Sequence, residues 1–139
     1  MTLRFILFAL LVGLAGCTSG GDARLPVAGR VLVGDQALSS GAVILRPDIT
    51  QGNTSKHEPR GSIDAEGNYQ ISTALQPGAA LGWYKIGIVA TEAGDPKNPY
   101  AVRRSLIPAR YNDPDQSGLS LEVVKNPAPG AYDINLKAE

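Results

Sequence analysis

The chain has one cysteine, Cys17, and one histidine, His57, among 139 residues. A single cysteine cannot close an internal disulfide, and zinc peptidase chemistry, which needs several nitrogen, sulfur or carboxylate ligands in a fixed shell, finds little support in one histidine and one cysteine. Nor is a serine nucleophile supported. His57 is the only imidazole base, and it sits in the polar run Thr54-Ser55-Lys56-His57-Glu58-Pro59, with no elbow motif around any serine, so it reads as a solvent-facing loop residue. Phenylalanine occurs only at Phe5 and Phe8. Everything after them must build its core from Val, Ile and Leu with Trp83 and five tyrosines, which is strand-forming material. Charge of one sign is also missing, with 13 Lys and Arg against 13 Asp and Glu. Arg103-Arg104 with Arg110 is the only local basic group and reads as a solvated loop surface, so a nucleic-acid partner is excluded. No apolar run reaches the roughly 20 residues of a membrane-spanning helix, the longest stretching from Phe5 to Ala15.

What stands at the N-terminus is one positive charge, Arg4, then the uninterrupted apolar stretch Phe5 to Val12, then Leu14-Ala15-Gly16-Cys17. This is the layout of a signal segment. An ordinary secretory signal or a buried N-terminal helix would share the apolar stretch, and the placement of the cysteine favours a third reading. The tetrad Leu14, Ala15, Gly16 and Cys17 resembles the lipobox of bacterial lipoproteins. That resemblance implies a diacylglyceryl group on the Cys17 sulfur, removal of residues 1–16, and acylation of the new N-terminus. The partner reached through Cys17 is then a membrane. Each buried methylene contributes about 0.8 kcal/mol and two chains already anchor stably, so three acyl chains would hold the protein permanently. Lipidation also accounts for a lone thiol in an exported chain. Thr18 stands where an aspartate would signal retention in the inner membrane, which favours the outer one.

Removal of residues 1–16 leaves 123 residues, with twelve Lys and Arg against thirteen Asp and Glu, a net charge of −1 and the length of one domain. Residues 17–24 read as the lipidated cysteine and a flexible tether, and residues 25–139 as the domain. Leu25, Val27, Gly29, Val31 and Val33 follow a period of two and predict a half-buried strand. Ala42-Val43-Ile44-Leu45 predicts a second that stops or lies at an edge at Arg46-Pro47. Residues 60–63 and 68–73 flank Asp64-Ala65-Glu66-Gly67, a hairpin signal. Gln76-Pro77-Gly78 predicts a turn, and residues 82–90 the longest strand, with Tyr84, Ile86, Ile88 and Ala90 on one face. Prolines at 96, 99, 108 and 114 leave no helix of normal length between residues 91 and 118. The segments 119–124 and 131–136, joined by Asn126-Pro127-Ala128-Pro129-Gly130, predict a terminal hairpin. About seven strands with almost no helical pattern give an all-β class and a small antiparallel sandwich.

Four stretches carry a resemblance: Val27 to Val31, Asp64 to Tyr69, Pro77-Gly78 ahead of Gly82 to Ile86, and Ile107-Pro108-Ala109-Arg110-Tyr111-Asn112-Asp113-Pro114 running into Ser117-Gly118-Leu119. Their order is similar to that of the transthyretin-like or carboxypeptidase regulatory-like β-sandwich, a seven-stranded prealbumin-type fold. The segment around Tyr111 resembles one lipoprotein subgroup. The resemblance spans about Leu25 to Leu136 and implies a fold and an address. A purine-pathway hydrolase of the same fold uses paired histidines, an arginine and a C-terminal Tyr-Arg-Gly-Ser, and this chain departs from it, ending Ile134-Asn135-Leu136-Lys137-Ala138-Glu139.

Asp113-Pro114-Asp115-Gln116-Ser117-Gly118 offers oxygens at alternate positions, like the first half of a calcium loop. The closing glutamate would fall at Val124, so Asx turns at Asn112 and Asp113 that launch the terminal hairpin are the preferred reading and no metal or cofactor is expected. The expectation is a non-catalytic, lipid-anchored envelope module that binds or packs against an envelope protein or polysaccharide. A small-ligand or carbohydrate binder using Trp83, Tyr84, Tyr100 or Tyr111 is the alternative, with an unrecognised hydrolase third. For each of those aromatics a core role is the preferred reading over a binding role, because no phenylalanine follows Phe8 to fill the interior.

Overall fold

Short runs of alternating residues, interrupted by Pro and Gly, favour strands over helices. A computed structural model describes residues 23–138 and is all-β. The lipobox Leu14-Ala15-Gly16-Cys17, the expected signal segment and all but the end of the expected tether lie outside the described residues. In chain order the strands are β1 (Arg24–Leu25), β2 (Ala28–Val33), β3 (Gln36–Ala37), β4 (Gly41–Pro47), β5 (Arg60–Ile63) and β6 (Asn68–Gln70). They continue with β7 (Ser72–Thr73), β8 (Gln76–Pro77), β9 (Ala79–Ala80), β10 (Gly82–Val89), β11 (Ser120–Val123) and β12 (Ile134–Leu136).

Seven of them form one path, β11-β10-β4-β5-β6-β2-β12, with β3 beside β2 and the small hairpin β7–β8 beside β5. Every pairing is antiparallel except β12 with β2. The path curls into a half-barrel, a sandwich-like arrangement around one core. β1 and β9 make a separate two-stranded sheet.

β10 shows how the sequence positions the core. Tyr84, Ile86, Ile88 and Ala90 alternate onto one face and are buried as the pattern predicts, packed with Val43 and Leu45 of the neighbouring β4. Burial of each large side chain of this kind contributes about 1.5–3 kcal/mol. β4 ends at Pro47, where the missing N–H ends its regular run, and Asp48 then caps a short 3-10 turn over Ile49–Gln51 by accepting from the Thr50 amide at 3.0 Å. The hairpin read from Asp64 to Gly67 is present between β5 and β6. Asp64 Oδ1 accepts from the amides of Glu66 at 2.9 Å and Asn68 at 2.8 Å, and Gly67 takes the positive φ of 86° that the turn requires.

Three expectations are corrected. β1 and β2 are two strands in two sheets, because Pro26 interrupts the run, and Arg24, expected in the tether, already pairs with Ala80. The tight reversal falls at Ala74–Leu75 instead of Gln76-Pro77-Gly78, with Gln76–Pro77 forming a strand and Gly78 bending the chain again at φ 94°. The terminal hairpin does not form. β11 pairs with β10 at one end of the path, whereas β12 lies parallel to β2 at the other. Alternation told which residues face inward but carried no information on the partner strand.

Between β10 and β11 the longest helical piece is the 3-10 turn Ala109–Asn112, as the prolines require. The first half of the segment leaves the sheet as an arm. Glu92 donates to Arg104 O and Leu106 to Ala90 O, both at 2.9 Å, and residues 91–106 are all exposed. The second half returns and packs. Ile107 and Tyr111 are buried, Ser117 Oγ donates to Ile86 O at 2.5 Å, and Pro114 rests on Gly87, where a Cβ would stand 2.8 Å from the proline ring.

Candidate functional site

Asp113 and Asp115, the oxygens considered for calcium, are held by cations of the sheet. Asp115 accepts from Lys85 Nζ of β10 at 2.9 Å and from Arg46 Nη1 of β4 at 2.8 Å, and Arg46 Nε also reaches Glu58 at 3.0 Å. Asp113 lies 3.6 Å from Arg46, and its Oδ1 receives the Asp115 amide at 2.9 Å, the Asx turn expected there. Lys85 and, next, Arg46 hold the Asp115 carboxyl below the usual carboxylate range. Asp115 in turn raises Lys85, and Glu58 leads in raising Arg46. All three groups are therefore pushed away from neutrality, the opposite of what proton transfer at neutral pH asks for. Their arrangement clamps the returning segment to the sheet. Among the described residues no group of three or more His, Cys, Asp or Glu side chains could hold a metal ion.

His57 is exposed, its amide 3.5 Å from Ser55 Oγ, in the loop position read from the sequence. The four candidate aromatics divide. Tyr84 and Tyr111 are buried, and Tyr111 Oη accepts from the Arg110 guanidinium at 3.0 Å and the Lys137 amide at 3.1 Å. The Arg110 interaction, followed by that amide, draws the phenol below its ordinary value. Trp83 is 36% exposed and Tyr100 93% exposed. They do not meet, because Trp83 is near the start of β10 and Tyr100 is on the arm that follows its end.

The two ends of β10 therefore have different surroundings. At the start lie Ala23, the β1–β9 pair, residues 48–55 and a surface depression of about 270 Å³ between Ala23, Asn53 and Leu81. The exposed apolar side chains here are Ile49, Leu75, Leu81 and Trp83. At the other end the exposed ones are Val89, Tyr100, Val102 and Leu106, among Lys97, Arg103 and Arg104. Sequence reasoning missed Ile49, Leu75 and Leu81. The strands flanking the Ala74–Leu75 turn are only two residues long, too short for an alternation that would mark Leu75 as a turn residue in the sequence.

This is an all-β half-barrel whose surface ion pairs tie the returning segment to the sheet and whose exposed large apolar side chains, among the described residues, lie toward the two ends of β10. The chain matches no family model, no curated protein and no solved structure.

Proposed function

We propose that the protein is an exported lipoprotein, anchored through lipid on Cys17, whose transthyretin-like, carboxypeptidase regulatory-like domain serves the cell envelope as a non-catalytic interaction or structural module. The observation that carries the proposal is Leu14-Ala15-Gly16-Cys17 behind an uncharged apolar stretch. The seven-strand path and the use of Asp115, Arg46 and Lys85 as braces support the second half. Among the described residues no helix is long and apolar enough to cross a membrane, so on this reading the lipid supplies the attachment. Mass spectrometry of the protein from its native host tests it. A mature N-terminus at a lipid-modified Cys17 is expected, with no such product from a Cys17→Ser chain, and an unmodified Cys17 thiol would overturn the anchoring.

A second reading is favoured by the partial exposure of Trp83, which alternates with Lys85 along β10 and can offer an indole edge to a sugar ring. A saturable change of Trp83 emission on titration with envelope glycans is its expected signature.

A further inference from the structure

The eight large apolar side chains exposed among the described residues are divided by the direction of β10, four toward its start and four at or beyond its end, Val89 being its last residue. We propose that the first four, Ile49, Leu75, Leu81 and Trp83, form a seat that rests in the interfacial layer of the phospholipid bilayer; this rests on the lipid-anchored reading above.

Where the preceding chain joins the domain selects the occupant. Residues 1–22 precede the described part and reach it at Ala23, which lines the same depression as Leu81. From Cys17 to Ala23 is six peptide links, at most about 21 Å when fully extended. β10 itself spans about 26 Å over its eight residues, so a bilayer holding Cys17 lies close to its start, with the arm beyond its other end. The β4–β10 register brings Ile49 to the start as well. Pro47 pairs with Tyr84, so the turn after β4 emerges beside Trp83. Leu75 is brought there through β1, since the Arg24 guanidinium bonds to the Gln76 side chain, next to the hairpin tip.

The chemistry of these side chains suits a lipid interface. Leu75 is 99% exposed on a turn where Ala74 and Leu75 both have positive φ, 48° and 67°, a backbone that ordinarily takes Asn-Gly. Water gains nothing from a leucine there, whereas an acyl chain does. Trp83 presents an amphipathic ring of the kind enriched at membrane interfaces, and Arg24 and Lys56 add exposed cations for anionic headgroups. The arm offers comparable side chains, Tyr100 and Val102 with Arg103 and Arg104, but at the end remote from the anchor.

Trp83 is the sole tryptophan and reports on its own end of the molecule. The test uses the full chain, made without lipid modification and coupled through the Cys17 thiol to a maleimide lipid. The vesicles are phosphatidylethanolamine and phosphatidylglycerol, part of the lipid being brominated near the headgroup. Loss of Trp83 emission is expected, with smaller loss for Ile49→Ser combined with Leu75→Ser. A chain carrying Trp83→Phe and Tyr100→Trp, checked for folding by circular dichroism, should retain its emission. Undiminished Trp83 emission, equal loss from the two reporter positions, or no effect of the serine pair would each overturn the seat. Because the coupling is chemical, these outcomes are separate from host lipidation, which the mass measurement decides.

Discussion

Leu75 is the residue least suited to its own backbone. An L-residue with a side chain loses roughly 1–2 kcal/mol in the left-handed region, and the Ala74–Leu75 turn has two of them in succession. Replacing them with the pair this turn ordinarily uses, Ala74→Asn with Leu75→Gly, should raise unfolding stability by about 1–2 kcal/mol, after allowing for the extra chain entropy of glycine. Urea denaturation reads this as a higher midpoint with unchanged slope. The same double substitution removes the most exposed apolar side chain from the seat, so gain in stability and loss of membrane contact should come together. At this scale the sequence was unevenly legible. His57 and the Asp113 turn follow from local chemistry, which neighbouring residues specify. The exposure of Ile49, Leu75 and Leu81 depends on what covers them, and in a linear string an apolar residue looks the same whether or not a partner strand lies over it.

Two elements are held by carboxylates, and acid should loosen both. In the β5–β6 hairpin the Asn68 amide is the main cause of the low Asp64 value. In the clamp on the returning segment Lys85 and Arg46 act likewise on Asp115. Both values lie below the ordinary range near 4, so in that window the unfolded chain binds more protons and stability rises with pH. The contribution is fully present above about pH 4 and is lost as pH falls through the folded values. Urea midpoints measured from pH 6 down to pH 2 should drop in the acid window, less so for Asp64→Asn with Asp115→Asn. Added salt should shrink the Asp115 share, an exposed ion pair, and spare the Asp64 share, which is backbone hydrogen bonding. The hairpin and β10 could be read in advance because turn chemistry and a period of two are local. β1 and β12 could not. Pro26 divides a run whose alternation continues through it, and the partner of β12 is set by closure of the whole sheet.

At the scale of the molecule, the order of strands places the junction with the preceding chain at one end and the arm at the other. On the anchoring we propose, Tyr100, Val102 and the Arg103-Arg104 pair, all exposed, would face away from the membrane. The last strand has a different consequence, one of timing. Ile134 lies against Val31, and the Arg30 amide is bonded to Asp133, 103 positions further on. Until residues 132–136 exist, β2 has an open edge and the core lacks Tyr132, Ile134 and Leu136. A chain ending at Gly130 should therefore remain open to protease under conditions where the full chain resists, which pulse proteolysis of the two would show. Closure waits for β12, so a polypeptide that we propose must leave the cell interior keeps this edge open, and stays threadable, until residues 132–136 have been made.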